Sequence, residues 1–424
     1  MVLSIIVLLF DSVVLMLLNN GGVHSPALVT ALIVLFTIAY ILDLSGKDKS
    51  VSYPLFTAYL LRLFLVYFDL YGRGIYGLPN SGADSDMFYY NAIEYINTGD
   101  SFRGFFVAVT GTLFKYCGIS KLYAQFLIAL CSVVAIYVGI KIMEELGVNK
   151  ENRFGAAMIL AVLPNFAILS SIFVRESLIT MFVSLSVLFI IRWMLRGDEK
   201  CYLLSIAFAF CAMRFHGGVV AVLASYIAMR FFYKKQTGRF GFSYKNVIPG
   251  AIVLVAAVYM YNNSGDSFFG KVLGIDSTAD IANTNAKGDS TYVQYVGNSN
   301  NPVNLIIFTI PRIVFFLFSP MPFQWRGSAD IIAFCFSSMF YIVVLYRTIR
   351  YLRSNRVDNR AAVIALFFIA VCTMFVFGWG CSNTGTATRH RDKMVVLYGV
   401  LLALTSDPKI DRVRKRRKPW TIRL

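Results

Sequence analysis

Apolar runs of near-membrane length follow one another from residue 2 to residue 404, and no other feature limits the fold so strongly. A backbone in lipid finds no water to bond, so only helices or a closed barrel cross it. Barrel strands alternate polar and apolar residues; these runs are continuous, which selects helices. The 424 residues are 57% apolar and 15% charged, where soluble domains are about half apolar and one quarter charged. The mean hydropathy is +0.64. The expected fold class is all-α: a single polytopic membrane domain over residues 1–410, then a basic tail over 411–424.

Charge orients the helices. The net charge of +17 reports Lys and Arg in cytoplasmic loops, not nucleic-acid binding. The run Arg412-Val413-Arg414-Lys415-Arg416-Arg417-Lys418 is a topology anchor beside anionic lipid. The start of the chain has neither a basic region nor a small-residue cleavage site, so it reads as a first span rather than a signal. Seven scattered Cys without a CxxC pair read as small core residues. Three His without ligand spacing argue against zinc.

The expected spans are 2–18, 26–42, 54–71, 122–143, 154–173 (broken at Pro164-Asn165), 177–195, a short hairpin over 202–232, 247–261, 331–346, 362–377 and 395–404. That makes twelve crossings with both termini cytoplasmic. Residues 303–318 carry Pro311-Arg312; a crossing there would force the basic loop 347–360 outside, so the segment is expected to be re-entrant or interfacial. External loops then fall at about 72–120, 262–302, 319–328 and 378–393. Arg62 and Asp69 share a face of the third span and read as a structural pair between helices.

This topology gathers the remaining polar residues on one side. Asp84, Asp86, Arg175, Glu176, Arg214, His216, Arg326, Arg389, His390 and Arg391 all fall at outer helix ends. The positive-inside rule disfavours Arg there, and an anionic ligand explains it, because Arg contacts phosphate oxygens bidentately. The segment Gly82-Ala83-Asp84-Ser85-Asp86-Met87-Phe88-Tyr89-Tyr90-Asn91 sets two carboxylates beside stacking rings. A carboxylate there can take a proton from a sugar hydroxyl, with Tyr89 and Tyr90 as binding rings. The blander possibility is an interfacial loop in which an Asp caps a helix. The candidate catalytic residues are Asp84, Asp86, Glu176 and His216. The candidate binding residues are Arg175, Arg214, Arg326, Arg389, His390, Arg391, Tyr89 and Tyr90. No cofactor is expected; a divalent metal at Asp84-Ser85-Asp86 is a lesser possibility, since hard cations take more oxygens than two carboxylates supply. Arg175→Ala and Arg389→Ala, read as surface changes, are expected to stop the reaction while leaving protein levels near normal.

In the order of these pieces the chain resembles bacterial polysaccharide polymerases of the O-antigen (Wzy) type and the related GT-C class of membrane glycosyltransferases. The resemblance rests on Gly82-Ala83-Asp84-Ser85-Asp86, on Pro164 through Arg175-Glu176-Ser177-Leu178, and on Arg214-Phe215-His216. It extends to Phe318-Ser319-Pro320-Met321-Pro322-Phe323-Gln324-Trp325-Arg326 and Gly385-Thr386-Ala387-Thr388-Arg389-His390-Arg391. It implies undecaprenyl-diphosphate-linked glycan substrates at the outer face of the bacterial inner membrane, and a chain-length regulator as a partner. It also implies Asp84 or Asp86 as base, with Arg175, Arg214, Arg389 and Arg391 on the diphosphates. The acidic loop follows the third span here, whereas GT-C enzymes usually place it after the first, which favours a polymerase. The alternatives are a GT-C enzyme moving one sugar from a polyprenyl phosphate to a lipid or protein, and a transporter of lipid-linked glycans. A transporter would need polar groups around a midplane site.

Overall fold

A computed structural model describes residues 2–100, 104–234, 237–241, 302–354 and 359–406. The expected span at 247–261, most of the polar loop at 262–302, and the basic tail lie outside the described residues. Among the described residues the fold is all-α apart from a two-stranded hairpin, β1 (Tyr233–Lys234) with β2 (Arg239–Phe240). Six helices among the described residues are long and apolar enough to cross a membrane. They are α2 (Pro26–Ser45), α3 (Lys49–Tyr71), α6 (Lys121–Glu145), α9 (Glu176–Arg196), α13 (Ser328–Arg353) and α14 (Arg360–Gly380). Shorter helices complete the described fold: α1 (Val2–Leu17), α4 (Ala83–Thr98), α5 (Phe105–Cys117), α7 (Lys150–Val162), α8 (Pro164–Leu169), α10 (Glu199–Phe215) and α11 (Val220–Phe232). After these come α12 (Pro302–Phe318), α15 (Thr384–Asp392) and α16 (Val395–Thr405).

At the centre stands α16. Apart from Leu404, every residue in it is buried, as expected of a helix that is apolar all round. It packs on α6, α7, α9, α13 and α14. Its eleven residues rise only about 16 Å, short of the roughly 30 Å hydrocarbon core. Its neighbours bury it in the core, and α15, two residues upstream, is mounted on it. The polar stretch over 384–392, read from sequence as a loop, is helical because Asn383 caps it. The Asn383 side chain accepts from the Gly385 N–H at 2.8 Å and the Thr386 N–H at 3.3 Å.

The acidic stretch is helical too. Gly82 precedes α4, and Asp84 and Asp86 occupy its first turn, where carboxylates offset the helix dipole. It is a helix start rather than an interfacial loop, and neither Asp is its cap. Together α4 and α5 form a hairpin held by aromatic contacts: Phe88 on Phe106 at 5.3 Å and Tyr89 on Phe114 at 5.8 Å.

The break at Pro164 appears where expected, between α7 and α8. Proline has no N–H to offer the carbonyl four residues back. The Arg62 guanidinium reaches across instead, to the Ala161 carbonyl at 2.9 Å and the Leu160 carbonyl at 3.5 Å. Arg62 is thus structural, as expected, but does not pair with Asp69. Asp69 accepts from Gln125 at 2.7 Å and from the Ser81 hydroxyl, anchoring the turn that leads to α4. Two further arginines close helix ends. Arg312, on α12, donates to the Trp379 and Cys381 carbonyls at the end of α14. Arg391 donates to the Leu317 and Ser319 carbonyls at the end of α12.

Candidate functional site

Four elements meet at the beginning of α9: the start of α4, the turn before α9, the turn after α10, and α15. Ser85 fixes the first of these. Its buried hydroxyl accepts the Phe173 N–H at 3.3 Å, which docks α4 against the turn that ends in Arg175. The neighbouring Asp84 then reaches Arg389 on α15. Arg389 also grips Glu176, its Nη2 at 2.8 Å and Nε at 3.1 Å from Oε1. One guanidinium therefore joins two carboxylates from helices distant in sequence. The Glu176 side chain is 3% exposed and that of Asp84 46%, so Asp84 is the carboxylate open to solvent.

His216 and His390 form a second pair, with Nε2 to Nε2 at 2.8 Å. The tautomers follow from their other contacts. Nδ1 of His390 lies 2.8 Å from the Thr386 carbonyl, which only accepts, so Nδ1 carries hydrogen and Nε2 of the neutral ring is bare. Nδ1 of His216 accepts the Gly218 N–H at 3.2 Å, leaving its Nε2–H to donate to His390. Burial, and the Lys393 ammonium close by, push both rings well below the usual imidazole range. All four ring nitrogens are engaged, which suits positioning better than proton transfer to a ligand. Phe377 lies edge-on to both rings, at 5.5 and 5.2 Å. It comes close because residue 218 is glycine: a Cβ there would collide with the Phe377 ring.

Asp86 sits apart from this group. Arg73 clamps it at 2.8 Å and Lys121 at 2.7 Å; against the opposing effect of burial, they hold it below its usual range. Lys121 in turn lies 5.2 Å over the Tyr89 ring, which packs on Phe114 and Phe173, while Tyr90 is exposed. The sequence paired Asp84 with Asp86; the structure divides them between two clusters, as a two-residue separation on a helix requires.

The arginines also divide. Arg391 is buried on backbone carbonyls and does not present itself to a ligand. Arg326 makes an ion pair with Asp330 at 2.9 Å, and Arg214 lies 5.2 Å over the Phe105 ring. Arg175, half-buried beside Glu176, stacks on Phe88 at 5.8 Å, and its Nε lacks a partner.

Several residues here carried no sequence signal. Lys393, immediately after α15, is 1% exposed. Its Nζ has no hydrogen-bond partner and lies 5.6 Å over the Phe377 ring. Burial pushes it down to about 7, against the pull of Glu176. Asp392 accepts from Asn165 at 2.7 Å and from the Tyr341 hydroxyl at 3.2 Å; burial raises it to about 7. The Pro164-Asn165 break was the one available hint, since a helix interrupted in a membrane usually frees a polar group for a site. Among the described residues, no group of three or more His, Cys, Asp or Glu side chains could hold a metal ion.

Comparison with known proteins adds no relative: no family model matches the chain, and no curated protein matches it.

Proposed function

We propose that this chain polymerises oligosaccharide repeat units carried on undecaprenyl diphosphate, at the outer face of a bacterial inner membrane. The observation that carries the reading is the gathering of Asp84, Glu176, Arg389, Arg175 and Lys393 at the start of α9, in a chain whose helices suit a membrane. Carboxylates and cations held together at a helix start are what transfer from a lipid phosphate needs. Asp84, the exposed carboxylate, accepts the proton of an acceptor hydroxyl. The hydroxyl oxygen bonds to the anomeric carbon, the bond from that carbon to the carrier diphosphate breaks, and the diphosphate leaves with the electron pair. Cations beside it stabilise the growing charge. Arg389 holds Asp84 in place.

In this reading the six long helices and the shorter apolar ones make up about twelve crossings of a GT-C-like domain, with both termini cytoplasmic. A transporter would need ligand-facing polar groups at mid-depth. Arg62 and Asp69, within a long helix, are consumed by structural bonds; Asp11, buried on α1 with both oxygens unpartnered, is the observation on that side.

The test is deletion and complementation. Loss of the gene product is expected to erase a ladder of surface-glycan lengths, and Asp84→Asn is expected not to restore it at normal protein level. A single-sugar mass change on a lipid or protein, with the ladder intact, would replace the polymerase by a one-sugar transferase.

A further inference from the structure

Asp11 is the only charged residue of α1, and it is fully buried. Neither of its carboxylate oxygens has a hydrogen-bond partner, and burial alone, with no neighbouring charge, acts on it. Arg62 on α3 is turned onto an α7 carbonyl and the Phe166 ring. A carboxylate inside an apolar span is costly unless something answers its charge.

Oxygen atoms surround Asp11. Its neighbour Ser12 lies 2.8 Å from the Tyr123 hydroxyl on α6. The Ser12 hydroxyl donates to the Leu8 carbonyl at 2.9 Å, so Tyr123 is the donor in that pair. Tyr59 on α3 stands likewise. The Thr37 hydroxyl donates to the Ile33 carbonyl at 2.7 Å, so Tyr59 donates to Thr37, at 2.5 Å. Each phenol oxygen is left with lone pairs and no hydrogen to give. Asp11 acts electrostatically on both phenols. Their rings belong to one aromatic cluster: Tyr59 lies 6.0 Å from Phe36, Phe36 5.2 Å from Phe126, and Phe126 6.2 Å from Tyr123. Acceptors therefore face acceptors, near enough to interact but not to hydrogen-bond. A shared metal ion requires that spacing: at about 2.4 Å from each ligand, it holds its oxygens roughly 3.5–5 Å apart. With one carboxylate and neutral phenols, a monovalent ion leaves the site uncharged, whereas a divalent ion leaves a net charge within the span.

We propose that Asp11, Tyr59 and Tyr123 form a site for a desolvated monovalent metal cation, of sodium or potassium size, between α1, α3 and α6. These helices are not those that carry Asp84, Glu176 and Arg389, and the site does not rest on the polymerase reading. The ion supplies the positive charge that Asp11 lacks and ties α1 to the bundle.

The experiment is a melting curve of the full chain in nanodiscs, in sodium, potassium or choline chloride at one pH and ionic strength. Equilibrium binding of radioactive sodium, or of rubidium in place of potassium, is measured on the same sample. Wild type is expected to melt higher in sodium or potassium than in choline, with a saturable dependence, and to bind one ion per chain. Asp11→Asn is expected to lose both effects. Tyr59→Phe is expected to weaken the ion's affinity about tenfold, the weight of one oxygen held to a charge. Equal melting in the three salts with no ion bound overturns the site, as does Asp11→Asn binding like wild type. A chain that binds no metal ion and melts higher only as pH falls, in choline as in sodium, gives Asp11 a proton instead and also overturns it. Should Asp11→Asn not fold, wild type in the three salts and Tyr59→Phe decide, and Tyr59→Phe binding like wild type overturns the ligand set.

Discussion

Arg389 changes character between sequence and structure, and its neighbours change with it. As one of three cationic residues in a supposed loop it read as a surface clamp whose removal spares the fold. Half-buried between Asp84 and Glu176, it cannot be removed so lightly. Its deletion leaves the buried Glu176 carboxylate without its partner, which destabilises by up to about 3–5 kcal/mol. Arg389→Ala should therefore lower the melting temperature in detergent as well as activity, while Arg175→Ala should lower activity alone. Equal melting temperatures for wild type and Arg389→Ala would show that the pair contributes little. Lys393 gives a pH signature. Its proton is held to 10.5 ordinarily but only to about 7 in the fold. Between those values the unfolded chain binds more protons, so stability rises with pH there; below about 7 this contribution is flat. Melting temperature measured from pH 7 to 9 should rise in wild type relative to Lys393→Met. Parallel curves would place an unrecorded counter-ion on the lysine. None of this was legible in the sequence, because lysine beside a basic triplet looks like any interfacial lysine until burial is known. Asp84, Arg175, Glu176, His216, Arg389 and His390 were legible, because charged residues at the outer ends of apolar runs are conspicuous. What each one touches was not.

The α4–α5 hairpin carries Asp84 to the site, so its packing should govern activity from a distance. Gly111 on α5 lies against Tyr95 on α4, and a Cβ at 111 would run into the Tyr95 ring. Gly111→Val should force the hairpin apart, at about 1–3 kcal/mol for overpacking, and depress activity without altering any charged group. Unchanged activity would mean that Ser85 and Asp84 are held by their own contacts. The helical nature of both polar stretches escaped the sequence pattern for one reason. Neither has an apolar stripe long enough to stand out, and α15 is fixed by a cap and by its attachment to α16. By contrast, the proline break was plain, since its cause is covalent; that Arg62 would heal it and Asn165 would serve the site depended on which helices became neighbours.

At the scale of the molecule, helix class and the six long helices follow from composition and run length, which are local properties. The role of α16 does not. An eleven-residue apolar run looks like any other short span, and only its neighbours reveal that it is buried in the core and carries α15. Topology has a direct check. Alkaline phosphatase fused after Thr98, beside the acidic helix, should be active, and fused after Gly147 it should be inactive; the reverse pattern would put the cluster in the cytoplasm, where the donor proposed for it is not displayed. The measurement that bears most directly on function is reconstitution. Purified chain in nanodiscs, given a lipid-linked repeat unit, should yield a ladder of glycan lengths that Asp84→Asn abolishes. A ladder unaffected by Asp84→Asn, or no product longer than the substrate under conditions where the chain is folded, would contradict the account.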